Sequence, residues 1–120
     1  MYPDEVEVDI EESSQVEATK VVPHFVTNTS ISAEGKILLD RAVYSPLVVG
    51  SSQVADVVIE SDTVEDLHFM IEVVGEEWII STINELAKLW VNDEPVKYAI
   101  LENEDKIQVG QHKMVFICTA

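Results

Sequence analysis

Residues 47–74 read LVVGSSQVADVVIESDTVEDLHFMIEVV, three runs of Val, Ile, Leu and Phe separated by Gly, Ser, Asp and Thr. Short apolar runs bounded by turn-forming residues predict β-strands. In the last run, Phe69, Ile71 and Val73 fall on one face of an extended strand and His68 falls on the other, because side chains alternate along a strand. The stretch therefore predicts a sheet with one face in a hydrophobic core.

The same pattern continues on both sides of this stretch. The ten predicted strands are Val21–Thr27, Lys36–Asp40, Leu47–Gly50, Asp56–Glu60, His68–Val74, Glu77–Thr82, Lys88–Val91, Val96–Ile100, Lys106–Val109 and Lys113–Cys118. Residues that tolerate positive φ predict three tight antiparallel hairpins, at Gly75-Glu76, Asn92-Asp93 and Gly110-Gln111. Only Ile83–Leu89 interrupts the pattern, with helix-forming residues that predict a single helical turn or a long loop. The predicted fold class is all-β, an antiparallel β-sandwich.

Length and charge limit the domain count and the class of partner. A chain of 120 residues with 47% hydrophobic residues can build one domain with a real core. Its net charge of −16 repels phosphate backbones and anionic lipid headgroups, so neither nucleic acid nor a membrane surface is a predicted partner. The first 19 residues contain seven acids and no base. Residues 1–20 are therefore predicted to form a mostly disordered acidic tail, and residues 21–120 to form the domain.

Motifs that carry chemistry are sparse. Cys118 is the one cysteine, which excludes an intramolecular disulfide and predicts a reducing, cytoplasmic compartment. His24, His68 and His112 fall on separate predicted strands or turns, without the spacing of metal ligands. We therefore expect no cofactor, no metal and no enzymatic activity. A site built from converging carboxylates stays open as an alternative, and it requires a pocket that holds acids with perturbed pKa values.

Five short motifs occur in order: LVVGSS at 47–52, ADVVI at 55–59, TVEDLHFMI at 63–71, WVNDEPV at 90–96 and LENEDKIQVG at 101–110. Their order and spacing resemble the forkhead-associated (FHA) domain family, over about residues 36–118. The family pattern has a strand ending in Gly-Arg-Ser, a loop ending in Ser-Arg-x-His, a Val-Asn-Gly turn and a late Gly-Asp-x-Ile strand. The resemblance implies a sandwich of about eleven strands that binds phosphothreonine peptides through loops at one end.

The resemblance also assigns loop residues, and here most of the family's phosphate-binding chemistry is replaced. Ser51 matches the phosphate-contacting Arg, while Glu65 and Asp66 match the Ser and the following Arg or Lys of the Ser-x-x-His motif. Neither a hydroxyl nor a carboxylate supplies the charged, bidentate hydrogen bonding of a guanidinium. The resemblance retains Gly50 and His68 as structural residues. The remaining candidates in the binding loops are Ser52, Asn84, Lys88 and Asn92.

The phosphothreonine site is therefore expected to be lost, and the leading prediction is an FHA-type module that assembles protein complexes without phosphate. Its negative charge predicts a protein partner with a basic surface, because complementary potentials speed association. The alternative is phosphothreonine-peptide recognition by a non-standard anion site made of Ser51, Ser52, Thr63 and Lys88. No oligomeric state is predicted.

The acidic N-terminal segment allows two further interpretations. In one, a modified threonine folds back onto the domain; the candidates are Thr19, Thr27 and Thr29. In the other, the carboxylates of the segment cover the few cations of the domain, and removing the segment raises the affinity for acidic ligands.

Overall fold

A computed structural model describes residues 22–28, 32 and 34–118. In this part of the chain, eleven strands follow one another: His24–Val26 (β1), Lys36–Leu38 (β2), Leu47–Gly50 (β3), Val57–Val58 (β4), Phe69–Val74 (β5), Glu77–Thr82 (β6), Leu89–Val91 (β7), Glu94–Pro95 (β8), Tyr98–Leu101 (β9), Lys106–Val109 (β10) and His112–Ile117 (β11). The all-β prediction is confirmed. The predicted acidic tail, residues 1–20, lies outside the described residues.

The strands form two sheets. The six-stranded sheet has the order β2-β1-β11-β10-β7-β8, and the five-stranded sheet has the order β4-β3-β5-β6-β9. Neighbouring strands in the sheets pair antiparallel, apart from β3 and β4, which run parallel with Val49 opposite Val57. No helix in the described part of the chain has the length and hydropathy needed to cross a bilayer.

The three predicted hairpin turns are confirmed. Gly75-Glu76 joins β5 to β6, Asn92-Asp93 joins β7 to β8, and Gly110-Gln111 joins β10 to β11. Asn92 and Asp93 have φ of 52° and 71°, and Gly75 and Gly110 have φ of 64° and 59°. Positive φ at these positions matches the right-handed twist of the flanking strands, which is why Gly, Asn and Asp are favoured there.

The core lies between the two sheets and is centred on three phenylalanines. Phe25 contacts Phe69 and Phe116 edge-to-face, with ring centroids 6.2 Å and 6.1 Å away. Phe25 and Phe116 come from the six-stranded sheet and Phe69 from the five-stranded sheet, so the cluster joins the layers. Trp78 is half-buried against Phe116, with 5.8 Å between the ring centroids.

Several strand bounds differ from the predicted ones, for example Val57–Val58 in place of Asp56–Glu60, and two differences change the order of elements. Strand β8 was not predicted, because Pro95 cannot donate a hydrogen bond to a sheet and its run is only two residues long. The predicted strand Lys36–Asp40 ends at Leu38, and a 3₁₀ turn over Asp40–Val43 follows, with Ala42 buried. Of the two alternatives predicted for Ile83–Leu89, the structure shows the long loop: residues 83–88 form a loop, and β7 begins at Leu89.

Candidate functional site

Four connections meet at one end of the sandwich: residues 51–56, 59–68, 83–88 and 110–111. The first two are joined through their backbones. The Ser51 N–H donates to the Glu65 carbonyl at 2.9 Å, and the Ser52 N–H donates to the Asp66 carbonyl at 3.1 Å. The pairing of β3 with β5 thereby extends into the loops, and positions 51 and 65 become neighbours.

Gly50 ends β3 where the first two loops come closest. A Cβ atom at this position would lie 2.0 Å from the Asp66 carbonyl oxygen and 2.8 Å from the Leu67 Cα. These are backbone atoms, so they cannot rotate away as a side chain can. Gly50 does not have positive φ. Its structural role, which the resemblance implied, is therefore to leave space for the Asp66 and Leu67 backbone.

His68 links two of the loops from a buried position, with 1% of its surface exposed. Its Nδ1 accepts the Glu65 N–H at 3.0 Å, and its Nε2 lies 2.8 Å from the Lys88 carbonyl oxygen. A carbonyl can only accept, so Nε2 carries the proton and the ring is the Nε2–H tautomer. Both ring nitrogens are therefore used to hold loop 59–68 against loop 83–88.

Replacing His68 by alanine should lower the free energy of unfolding by about 2 kcal/mol. The variant loses two hydrogen bonds and leaves the Glu65 N–H and the Lys88 carbonyl without these partners, at about 1 kcal/mol for each bond. Urea unfolding followed by tryptophan fluorescence measures the change. Gln53→Ala, at an exposed turn position, is the control. Equal stabilities for the two variants would show that the histidine link contributes nothing.

Asn84 organises its own loop. Its Oδ1 accepts the N–H groups of Leu86 at 2.7 Å and Ala87 at 3.1 Å. This side-chain to backbone pattern is a common way for Asn to stabilise a turn. Asn84 was a candidate for peptide contact, and the structure places its acceptor oxygen within loop 83–88 instead.

Three of these connections, residues 59–68, 83–88 and 110–111, line an open cleft of about 390 Å³. Its charged lining residues are one cation, Lys88, and two carboxylates, Asp62 and Glu65. The far wall is the Gly110-Gln111 turn, where the Gln111 N–H donates to the Thr63 hydroxyl at 3.2 Å. The carboxylates outnumber the cation, so the cleft presents net negative charge to any ligand.

The predicted site residues divide into three groups. Glu65 and Lys88 line the cleft, with His68 behind them. The other loop candidates, Ser51, Ser52, Asp66 and Asn84, belong to the adjoining loops but are not in its lining. Asn92 lies at the opposite end of β7, where its side chain donates to Asp105 and accepts the Lys106 N–H, both at 3.0 Å. Its amide thus connects the β7–β8 turn to β10, away from the cleft.

Trp90 and Gln111 line the cleft and were not among the predicted site residues. Leu89 and Val91 point inward on β7, so the Trp90 indole between them points to the outer side. Strict alternation along β7 was the signal for this orientation. Gln111 had no local signal, because it meets Thr63 from 48 residues away in the chain.

The described residues supply little for metal or nucleophilic chemistry. No group of three or more His, Cys, Asp or Glu side chains in this part of the chain could hold a metal ion. Burial raises the pKa of the Cys118 thiol, which keeps it protonated at neutral pH. A protonated thiol is a poor nucleophile, so Cys118 behaves as a small packing residue.

The threonines proposed for modification can be placed only in part. Thr27 is buried, and its hydroxyl donates to the Asn28 carbonyl at 3.1 Å, so it is withdrawn from a modifying enzyme in the folded domain. Thr19 and Thr29 lie outside the described residues.

A family model described as the cytoplasmic domain of an inner membrane component of the type III secretion system matches residues 38–119. Among curated proteins, the glycogen accumulation regulator GarA of Mycobacterium tuberculosis is 30% identical over 86 residues, which are 72% of this chain and 51% of GarA. The chain spans about half the length of the GarA proteins it matches.

Solved structures share the fold. One from a study of phosphothreonine-dependent FHA domain interactions aligns with a TM-score of 0.70 at 19% identity, covering 83% of this chain and 99% of its own. Mycobacterium tuberculosis EmbR, solved in complex with a low-affinity phosphopeptide, aligns with a TM-score of 0.71 at 20% identity, covering 89% of this chain and 27% of EmbR. At such identities the likeness concerns the fold, and the site must be judged from its own residues.

Proposed function

Because this chain belongs to the family of cytoplasmic domains of type III secretion inner membrane components, and has the FHA fold, we propose that it is a non-enzymatic module that binds a protein partner without phosphate. The family description supports a cytoplasmic location. The proposed role is assembly: the domain holds a partner in place and leaves its covalent structure unchanged.

The charge of the loop-end cleft carries this proposal. Lys88 is its one cation among the described residues, and Asp62 and Glu65 are its carboxylates. At about 6 Å and an effective dielectric of about 20, each carboxylate repels each unit of phosphate charge by about 3 kcal/mol. The missing guanidinium at Ser51 removes charge-assisted hydrogen bonds of about 1.5 to 3 kcal/mol each. Together, these two unfavourable effects on the free energy of phosphate binding exceed the attraction that the single exposed Lys88 contributes.

An exposed apolar surface on the five-stranded sheet supports binding to protein. The alternation that buries Phe69 and Ile71 turns Met70 outward, and the register places Val48 opposite Met70 and Ile79 opposite Ile100. Val74, Tyr98 and Ile100 are 54%, 71% and 52% exposed. We call this surface the apolar face; its residues are Val48, Met70, Val74, Ile79, Tyr98 and Ile100.

The charge around the apolar face indicates the chemistry of the partner. Glu72 lies within it, opposite Ile79, and Glu76 and Glu77 lie at the adjoining β5–β6 turn. An apolar centre with an acidic margin fits a partner that presents apolar side chains surrounded by Lys or Arg. A second copy fits poorly, because each copy carries a net charge of −16.

The test is capture of binding proteins from a lysate of the encoding organism, with and without phosphatase treatment. We expect the captured set to be unchanged by phosphatase and by Lys88→Ala, and to fall about tenfold or more with the paired substitution Tyr98→Lys and Ile100→Lys. Val54→Lys, 80% exposed on a loop outside the apolar face, is the matched control. Loss of capture after phosphatase treatment, or with Lys88→Ala, would overturn the proposal.

A second candidate function, phosphothreonine recognition, is favoured by one observation. Lys88 forms no ion pair with any described residue, although it lines the same cleft as Asp62 and Glu65. An ammonium without an ion-pair partner among the described residues, in a cleft that the Thr63 side chain also lines, offers a phosphate one weak contact. Titration with phosphothreonine amide, followed by amide NMR shifts, separates the two functions: saturable shifts at Thr63, Lys88 and Gln111 support this candidate, and their absence supports phosphate-independent binding.

A further inference from the structure

The outer face of the six-stranded sheet collects lysines from three strands. The register places Lys36 opposite Val26, Val26 opposite Val115, and Val115 opposite Lys106, which forms one row across β2, β1, β11 and β10. Three strand spacings of about 4.8 Å separate the ends of this row by about 14 Å. Phe25 and Met114 point into the core from β1 and β11, so the row faces away from it.

A second row adjoins the first. Lys113 lies opposite Gln108, and Gln108 lies opposite Trp90. Between the rows runs a groove of about 360 Å³, lined by Val26, Trp90, Asp93, Lys106, Lys113 and Val115 among others. We call this surface the lysine face; its residues are Lys36, Lys106, Lys113, Val26, Val115 and Trp90.

The lysine face carries three positive charges, in a chain whose net charge is −16. In the described part of the chain the one salt bridge joins Arg41 to Asp56, at 3.9 Å, so the three lysines of the face have no carboxylate partner there. Among residues 22–28, 32 and 34–118, Asp93 is the one carboxylate that lines the groove. Lysines without a carboxylate partner among the described residues, beside exposed Val26, fit a ligand that is both acidic and apolar.

The chain's own residues 4–12 have this composition. They read DEVEVDIEE, in which Val6, Val8 and Ile10 alternate with Glu and Asp. As an extended segment, the four acids from Glu5 to Glu11 would span about 20 Å, enough to cover the lysine row. The ten residues between Glu11 and Val22 reach up to about 35 Å when extended, so the segment can return to the sheet that β1 enters.

We propose that the lysine face is a binding site for an acidic, alternating segment, and that residues 5–11 of the same chain occupy it. The apolar side chains of the segment pack against Val26, Val115 and the Trp90 indole. Because side chains alternate along an extended segment, its carboxylates then lie on the outer face, and the lysine ammonium groups on four-carbon stems reach them past the edges of the segment. The bound segment thereby prevents other acidic ligands from binding to the lysine face. This proposal does not depend on how the domain binds its protein partner at other surfaces.

Amine acetylation of the full chain tests the proposal. N-hydroxysuccinimidyl acetate is added at low protein concentration, and mass spectrometry gives a rate for each lysine. The variant Glu5→Gln, Glu7→Gln, Asp9→Asn, Glu11→Gln should react about three to ten times faster than the natural chain at Lys36, Lys106 and Lys113, which corresponds to a segment bound about 70 to 90% of the time. Lys88 and Lys97, outside the lysine face, should not change.

The control variant removes the same charge elsewhere: Glu60→Gln, Glu76→Gln, Glu77→Gln, Glu102→Gln, all exposed. It should leave the three lysines protected, and about 1 M NaCl should remove the protection in the natural chain, because the Debye length falls to about 3 Å. Equal rates in the natural chain and the N-terminal variant would overturn the proposal. So would an equal acceleration in both variants, which would reflect net charge alone, or protection that disappears on dilution, which would assign the occupant to a second copy.

Discussion

Replacing Gly50 by alanine should destabilise the domain by at least about 3 kcal/mol, the largest stability effect that we expect. The added methyl group would lie 2.0 Å from the Asp66 carbonyl oxygen and 2.7 Å from its carbonyl carbon. Accommodating it requires the β3–β4 and β4–β5 loops to separate, with loss of the Ser51 to Glu65 hydrogen bond. Inserting a methyl group into a packed site usually costs about 1 to 3 kcal/mol. Because the atoms that it would meet here are backbone atoms, we expect a cost of about 3 kcal/mol or more.

Gly75→Ala is the matched control for this substitution. Gly75 has a φ of 64°, and a Cβ atom added there would meet no other atom within 4 Å. Alanine at this position therefore carries only the backbone cost of about 1 to 2 kcal/mol. Urea unfolding of both variants gives the comparison. If Gly50→Ala costs no more than Gly75→Ala, the loops are not held at the distance described.

Restoring a cation to the loop end should create phosphate-dependent binding. The double variant Ser51→Arg, Glu65→Ser removes a carboxylate from the cleft and places a guanidinium at the neighbouring position. Two charge-assisted hydrogen bonds at about 1.5 kcal/mol each give about 3 kcal/mol, or about a hundredfold in affinity for phosphothreonine peptides over their unphosphorylated twins. Fluorescence polarisation with labelled peptide pairs measures the ratio.

The control for this gain is Ser51→Gln, Glu65→Ser, which removes the same carboxylate without adding a cation. We expect it to show at most a small preference for phosphate. Equal preferences in the two double variants would assign the effect to the loss of repulsion. No preference in the arginine variant would mean that the loop end has lost more than its charges.

The fold was largely accessible from the sequence because its signals are local. Alternation along β5 and positive-φ residues at Gly75, Asn92 and Gly110 depend on neighbours only one or two positions away. The same alternation also implied that Trp90 points outward between Leu89 and Val91. Strand β8 gave no such signal, since two residues ending in Pro95 show no period.

The site was accessible only in part, because it depends on contacts between distant segments. The motif order identified Ser51 and Glu65 as replacements, and the structure brings their loops into contact. The motif order could not identify Gln111 as a wall of the cleft, because that position depends on packing against Thr63. The lysine face is assembled from positions 36, 106 and 113, which only the strand register makes neighbours.

The most direct test of phosphate-independent binding compares phosphothreonine peptides with their unphosphorylated twins on the natural chain. A degenerate peptide library is titrated by fluorescence polarisation, with the Ser51→Arg, Glu65→Ser variant as the positive control. The account predicts affinity ratios close to one across the library for the natural chain. A preference of about tenfold or more for any phosphorylated peptide, about 1.4 kcal/mol, would contradict it and restore phosphothreonine recognition as the function.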